Sequence, residues 1–396
     1  MDLILPPAPW RDREGLAHLA MVLGAAEGDA RFVGGAVRDT LLGQEVSDID
    51  IAVRLLPRTV IARLEAAGVR AVPTGLAHGT VTAVLPSGPV EVTTLRRDVT
   101  TDGRHAEVAF SDDWREDAAR RDFTINALYA EPVTGAVHDY HDGIADLDAR
   151  RVRFIGDPLR RIAEDHLRIL RFFRFHARFG PENQDAVDPQ GLAACAERVN
   201  DLMALSRERI AAELLKLLVA PAAVPVMRLM VDHAILRAVL PEITPDGVAR
   251  LDHLAAREAA ADVAPNPVRR LAALLPPSAA DAVGARLKLS TTDRKRLVAA
   301  SAGPGDEGPR ALAYRAGAAN AVDRLLLAGR SVEAIREWTP PRLPLSGGAL
   351  VARGLAKGPA VARALKLLES RWIAAGFPAA IPDAEVDQAV ADAIIR

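Results

Sequence analysis

The stretch SDIDIAV, Ser47 to Val53, sets two carboxylates, Asp48 and Asp50, into a run of β-branched residues. Asp is depleted in strands, while Ile and Val are enriched. Side chains alternate faces along a strand, so Asp48 and Asp50 share one face and Ile49, Ile51 and Val53 the other. Two carboxylates on one face repel unless a cation neutralises them; the plainer reading is an edge strand charged against aggregation. A few residues earlier, GGAVRD, Gly34 to Asp39, joins a strand to a helix. Gly34 and Gly35 there let a phosphate approach the backbone, the helix N-terminus favours an anion, and Arg38 offers a guanidinium fork. A glycine pair alone also reads as a tight turn, and this one matches neither the P-loop nor the dinucleotide fingerprint. Glu91 in VEVTTL adds a third acid on a later strand, or else a surface residue of a hairpin. A phosphate-friendly turn beside three carboxylates suits two Mg²⁺ ions in an in-line displacement at phosphorus.

These residues need a mixed scaffold. RFVGGAV reads as a strand entering a glycine turn, VRDTLLG as a short helix ending near Gly43, and 57–68 as another helix. TVTAVL and VEVTTL alternate and are joined by the turn PSGP, so they read as a hairpin. RHAEVAF reads as a strand, and DFTINALYA as a helix that Asp122 caps. Beyond Gly156 strand signals stop, and helices alternate with Pro- and Gly-rich joints such as APNP and TPPRLP. The fold class is α+β.

Two further segments carry chemistry. In RRDFTINAL, Arg121 and Asn126 have the donors and acceptors that bind phosphate and ribose hydroxyls. In RIAEDHLRILRFFRFHARF and the residues just before it, read as one helix, Leu159, Ile162, Leu167, Leu170 and Phe173 form an apolar stripe. The other face holds Asp165, Arg168, Arg171 and Arg174. Its plain reading is a solvated face with ion pairs from Arg161 to Asp165 and from Glu164 to Arg168. The chemical reading is sharper. Asp165 offers acceptors and Arg168 donors. Cytosine and adenine both present an amino donor beside a ring-nitrogen acceptor, so an acceptor–donor pair one helical turn apart serves both. Uracil and guanine present the reverse and leave polar groups unpaired, which rejects them strongly.

GGAVRDTLLG, SDIDIAV, RRDFTINALYA, DPLRRIAEDHLRILRFFRFHARFG and LSRERIAAELLKLL, in this order, closely resemble class II CCA-adding tRNA nucleotidyltransferases and their bacterial poly(A) polymerase relatives. The resemblance runs from about Arg31 to Leu218 and more weakly over the tail. It implies a polymerase-β-like nucleotidyltransferase head of mixed sheet, followed by an all-helical neck, body and tail: 1–150, 151–220, 221–335 and 336–396. It implies Mg²⁺ as cofactor, CTP and ATP as substrates and the 3′ end of tRNA as partner. It places metal ligands at Asp48 and Asp50; the residues themselves add Glu91 as a third catalytic carboxylate. Nucleotide contacts fall at Gly34, Gly35, Arg38, Arg121, Asp122, Asn126, Asp165, Arg168, Arg171 and Arg174. The polar stretch 96–122, otherwise a mobile surface loop, looks complete as in CCA-adding relatives, and a switch from C to A is expected of it. Ser206 reads as the N-cap of a helix, with Arg209 and Glu213, that braces the neck.

Composition agrees with this class. Hydrophobic residues at 49% and charged residues at 26% are ordinary for a globular protein, and one cysteine, Cys195, precludes an internal disulfide. No signal peptide and no spanning segment is read, so a cytoplasmic enzyme without membrane contact is expected. HDYHDG, His138 to Gly143, imitates a metal cluster but reads as a surface turn. The alternatives are a poly(A) polymerase, a partial CC- or A-adding enzyme, and an inactive RNA-binding protein on the same fold.

Overall fold

The structure is a computed structural model. It describes residues 3–101, 106–181 and 187–395, with backbone alone over 98–101 and 106–108 and at 395. The chain forms two compact units, Met1–Ile243 and Thr244–Arg396.

The first unit is built on a seven-stranded sheet with the order β3-β4-β5-β2-β1-β8-β9. These strands are β1 (Ala30–Val33), β2 (Asp50–Val53), β3 (Arg70–Gly75), β4 (Thr80–Leu85), β5 (Gly88–Thr94), β8 (Leu128–Ala130) and β9 (Val137–Asp139). β6 (Arg96–Thr101) and β7 (Ala106–Phe110) form a separate hairpin. β2 and β5 run parallel, with Asp50 opposite Glu91, and the other pairs are antiparallel. All four residues of β1 are buried, as a strand covered on both faces requires. Helices α1 (Leu16–Val22), α2 (Gly35–Leu41), α3 (Pro57–Ala66), α4 (Trp114–Ala119) and α5 (Gly143–Asp148) accompany the strands. They are followed by α6 (Pro158–Glu164), α7 (Arg168–Phe179), α8 (Pro189–Glu197), α9 (Arg207–Leu218) and α10 (Ala223–Asp232).

Four local readings change. The strand with the aspartates begins at Asp50 rather than Ser47, because β1 ends at Val33, the partner of Asp50. Among the described residues Ser47–Ile49 has no strand partner on that side, although Ile49 still accepts the Glu91 N–H at 3.2 Å. DFTINALYA is not a helix but one 3-10 turn, Thr124–Asn126, followed by β8. Leu128, Tyr129 and Ala130 are fully buried, and pairing with both β1 and β9 satisfies their backbone. The stretch 96–122 is mostly ordered as the β6–β7 hairpin and α4, capped by Asp113; the switching role expected of it falls partly on 102–105, outside the described residues.

The fourth change bears most on the site. RIAEDHLRILRFF is two helices, not one. Asp165 lies between α6 and α7 with extended backbone, φ −150° and ψ 105°. Its side chain accepts the Leu167 N–H at 3.2 Å, and its carbonyl accepts from Arg168. Asp competes for local backbone groups in this way and favours turns over helix interiors. Leu159 falls outside the apolar stripe at 36% exposure, whereas Ile162, Leu170 and Phe173 are buried. Beneath the RRD turn, Phe123 packs at 5.0 Å from Phe154 and 5.2 Å from Phe175, and Phe154 stacks on Phe172 at 5.5 Å.

The second unit is helical among its described residues: α11 (Pro245–Ala260), α12 (Pro267–Leu274), α13 (Ala280–Arg286), α14 (Thr291–Ser301), α15 (Pro309–Ala316), α16 (Ala318–Leu327), α17 (Gly347–Ala352), α18 (Pro359–Ala374) and α19 (Asp383–Ile395). A buried ion network ties four of them. Arg269 on α12 donates to Glu258 on α11 (2.7 Å) and to Asp323 on α16 (3.1 Å), and Arg296 on α14 donates to Asp323 (2.6 Å). Among the described residues no helix is long and apolar enough to cross a membrane.

Phe172→Ala should cost about 3–5 kcal/mol by emptying a fully buried aromatic site. Chemical unfolding of the full chain reads this as a lower midpoint with little change in slope; an unchanged midpoint would remove the aromatic layer from the account of how the RRD turn is held.

Candidate active site

The glycine turn stands at the end of β1. Gly34 has φ 67° and ψ −117°, a conformation that favours glycine, and its N–H donates to Leu128 of β8 at 3.0 Å. A Cβ at Gly34 would lie 3.5 Å from the Asn126 carbonyl and 3.6 Å from Arg121 Nη1. The turn, Asn126 and Arg121 are therefore neighbours.

The carboxylates lie beside them. Asp50 and Glu91 are register partners on parallel strands and point to the same face. Burial, then the Glu91 charge, pushes the Asp50 carboxyl up to about 6; the Arg121 guanidinium pulls it back and Asp48 adds to the rise. Asp48 is exposed, just ahead of the strand, and accepts from the Ser47 hydroxyl at 2.9 Å. A half-buried carboxylate among like charges is the environment that a divalent cation relieves, so Asp50, Glu91 and Asp48 fit a hard cation in charge and donor type. The arrangement is open: among the described residues no group of three or more His, Cys, Asp or Glu side chains stands ready to hold a metal.

The RRD motif is the hub. Arg121 donates from Nε and Nη2 to Asp117 Oδ2 at 3.2 and 3.1 Å, and from Nε to the Tyr129 hydroxyl at 3.0 Å. Asp122 faces the other way. Its Oδ1 accepts from Phe123 N and Asn126 Nδ2, both at 2.9 Å. Its Oδ2 accepts from Arg171 Nε at 2.8 Å and Nη2 at 2.5 Å. Burial works to raise the Asp122 pKa, but Arg171, Asn126 and the Phe123 N–H together hold it at about 2. So Asp122 is bound by protein rather than presented to solvent, and it fixes Asn126 and Arg171.

Arg38 differs from the phosphate fork expected of it. It is 5% exposed, donates to Asp39 at 2.7 Å and to the Asn126 side-chain oxygen, and lies 4.0 Å over the Phe179 ring. The guanidinium braces Asn126 from inside. Gly35 opens α2 beside it, where a Cβ would meet Arg38 Nη2 at 3.7 Å.

The arginines of α7 are each paired. Arg168 donates to Glu164 (2.5 Å), to the Arg161 carbonyl (2.7 Å) and to the Arg120 carbonyl (3.3 Å). Arg171 holds Asp122, and Arg174 donates to Glu213 of α9 at 2.5 Å. Arg161 pairs with Glu164 and also donates to the Arg121 carbonyl at 2.6 Å. Asp165 accepts from Arg209 Nη2 at both carboxylate oxygens, 3.1 and 2.9 Å. The acceptor–donor pair drawn from helical spacing is thus a pair across a turn, each member with a protein partner. Sequence reasoning passed over Asp117 and Tyr129. Asp117 had a signal, its four-residue spacing from Arg121 on a helix; Tyr129 had none while its segment was read as helical.

HDYHDG is closed by Asp139, whose carboxylate accepts from the backbone N–H groups of His141 (3.1 Å), Gly143 (3.0 Å) and Ile144 (2.9 Å). His138 contacts Glu131 at 2.8 Å.

The raised Asp50 pKa has a consequence for stability. The native state holds a proton that the unfolded chain releases between the ordinary 3.8 and about 6, so stability falls as pH rises through that window. In metal-free buffer, Asp50→Asn should raise the Tm at pH 7.5 by a few degrees and give little gain at pH 4. Differential scanning at the two pH values checks this; an equal shift at both would place the effect outside the Asp50 charge.

Residues 30–153 match the poly A polymerase head domain, and residues 186–246 match a probable RNA- and SrmB-binding site of polymerase A. The human mitochondrial CCA tRNA nucleotidyltransferase 1 is 46% identical over 207 residues, 52% of this chain and 47% of that relative. The CCA-adding enzyme of Levilactobacillus brevis is 42% identical over 196 residues, 49% of this chain and 47% of that relative. The chain thus spans about half the length of the curated relatives it matches. The Bacillus stearothermophilus CCA-adding enzyme in complex with CTP superposes with a TM-score of 0.73 at 25% identity, over 93% of this chain and 94% of that one. The Thermotoga maritima CCA-adding enzyme complexed with tRNA shares the fold, with a TM-score of 0.71 at 18% identity over 98% and 99% of the two chains. With a matching head, a matching RNA-binding segment after it and a fold shared with CCA-adding enzymes, the chain is similar to CCA-adding tRNA nucleotidyltransferases and poly(A) polymerases.

Proposed function

We propose that the chain adds CCA to the 3′ end of tRNA from CTP and ATP. The observation that carries the chemistry is the neighbourhood of Asp50, Glu91, the Gly34 turn and Arg121 in one head. Relatives at 42–46% identity, named for CCA addition, support the substrate class. In this reading the head, 1–150, performs transfer, and 151–220 selects the base. The segments 221–335 and 336–396 hold tRNA.

The tRNA 3′-hydroxyl attacks the α-phosphorus of CTP, and later of ATP, and the bond to pyrophosphate breaks. Gly34 and Gly35 leave room for the triphosphate at the α2 N-terminus. Arg121 supplies positive charge to it, and Asn126, held by Asp122 and Arg38, is placed to meet the ribose. Asp48 and Asp50, with Glu91 beside them, would hold Mg²⁺, which neutralises the phosphates and polarises the attacking and leaving oxygens when bound. Asp165 and Arg168 read the base. A carboxylate has about four lone-pair sites and a guanidinium five N–H groups, and each makes three bonds at present, so both keep capacity for at least one more. Arg171 and Arg174 hold this surface to Asp122 and Glu213.

The test uses one tRNA ending before CCA, after C and after CC, with Mg²⁺ and CTP, ATP, UTP or GTP singly and in pairs. The expected products are C, C and A, with arrest after three and no U or G. A long A tract from ATP alone would overturn the reading in favour of a poly(A) polymerase; bound but unextended tRNA would leave an RNA-binding protein. Asp48→Ala and Asp50→Ala should each lower incorporation by at least 10³-fold, on the order of 4 kcal/mol of transition-state stabilisation. Asp165→Ala should preserve the fold and relax the rejection of UTP, as product sequencing would reveal.

A further inference from the structure

We propose that Tyr129 and Asp117 are positioning residues that aim Arg121 at the phosphates over the Gly34 turn. The proposal rests on the phosphate-binding reading of that turn. β8 fixes both halves of the cradle. Leu128 accepts the Gly34 N–H at 3.0 Å, and the next residue, Tyr129, is the register partner of Val33 and receives Arg121 Nε at 3.0 Å. The Tyr129 hydroxyl in turn donates a hydrogen bond to Asp117 Oδ2 at 2.7 Å, and the same oxygen accepts from Arg121 Nε and Nη2.

Asp117 and Tyr129 are 1% and 0% exposed, so this shelf is closed to bulk solvent. Arg120 closes it from the other side, donating to Asp117 Oδ1 at 2.9 Å. One edge of the Arg121 guanidinium, Nε and Nη2, is thus committed, and Nη1 is the nitrogen that a Cβ on Gly34 would approach to 3.6 Å. A guanidinium held on one edge and open on the other is a preorganised anion donor, with little side-chain entropy left to lose on binding. The burial of Tyr129 without a catalytic task also follows: its ring packs edge-on to Trp114 at 5.5 Å, and its hydroxyl sets the angle of Arg121.

Tyr129→Phe keeps the ring and deletes the one hydroxyl. Titration calorimetry of the full chain with inorganic pyrophosphate and Mg²⁺ should show binding weakened about tenfold, as for loss of one hydrogen bond to a charged group. The KM for CTP should rise in parallel, with kcat and product sequence changed little. In an Arg121→Gln background the same substitution should have no further effect on pyrophosphate affinity. Unchanged pyrophosphate affinity in a folded Tyr129→Phe protein, or equal losses in both backgrounds, would overturn the positioning role. If Tyr129→Phe does not fold, Asp117→Asn is read by the same titration and the same cycle. A wild-type chain that binds no pyrophosphate overturns the reading of the turn itself, and this proposal with it.

Discussion

The buried carboxylate of Asp122 is the joint on which the site depends. It accepts four hydrogen bonds from three residues: Phe123 in its own turn, Asn126 across the turn and Arg171 on α7. A charge so deep in the protein is tolerable only when paired and bonded, and removing one partner typically costs about 3–5 kcal/mol. From Asp122 the contacts run on. Asn126 accepts from Arg38, Arg38 donates to Asp39, and Asp39 accepts from Arg178 near the end of α7. α7 is therefore fastened to the sheet domain at Asp122 and again, two turns later, at Asp39. The Phe123, Phe154, Phe172 and Phe175 rings fill the space between, so polar and apolar contacts enforce the same docking.

The arginine face of α7 takes its meaning from this arrangement. In isolation, arginines at steps of three or four read as a solvated stripe. Here Arg168, Arg171 and Arg174 meet Glu164, Asp122 and Glu213, and the guanidinium groups of Arg171 and Arg174 lie over the Phe175 ring at 5.2 and 4.4 Å. Most of the positive charge is thus spent on holding the head, α7 and α9 in register. Asp165 and Arg168 remain at the edge of this network, joined by a turn, and the break between α6 and α7 gives them a relation that continuous helix would not.

Asp50 shows the opposite balance. Where Asp122 is held ionised, Asp50 is half-buried beside Glu91, and its charge is opposed by its surroundings. Sites that bind cations keep such unrelieved charge at a cost in stability. Arg121, itself locked by Asp117 and Tyr129, is the nearby positive group that moderates it. The acidic pair, the open glycine turn and the locked arginine form one electrostatic unit, because each alters the cost of charge on the others.

Much of this was legible in the residues. The glycine pair between strand and helix, the hairpin of TVTAVL and VEVTTL, and the change from strands to helices after Gly156 follow from local rules: glycine's freedom, alternation of side chains and turn-forming residues. The N-cap at Ser206 is local in the same sense. What lay beyond the sequence were outcomes decided at a distance. DFTINALYA has helical spacing, yet Leu128–Ala130 became a strand because β1 and β9 offered partners on both sides. SDIDIAV has strand alternation throughout, yet pairing began only at Asp50, where β1 ends. EDHLR has helical spacing, yet Asp165 left the helix for a turn and a bond to Arg209. Residue types and spacings determined which chemistry the chain could hold; the tertiary structure decided which charges are spent on each other and which remain for a ligand. That division arises because propensity acts over a few residues, whereas pairing and desolvation are settled by neighbours far away in the chain.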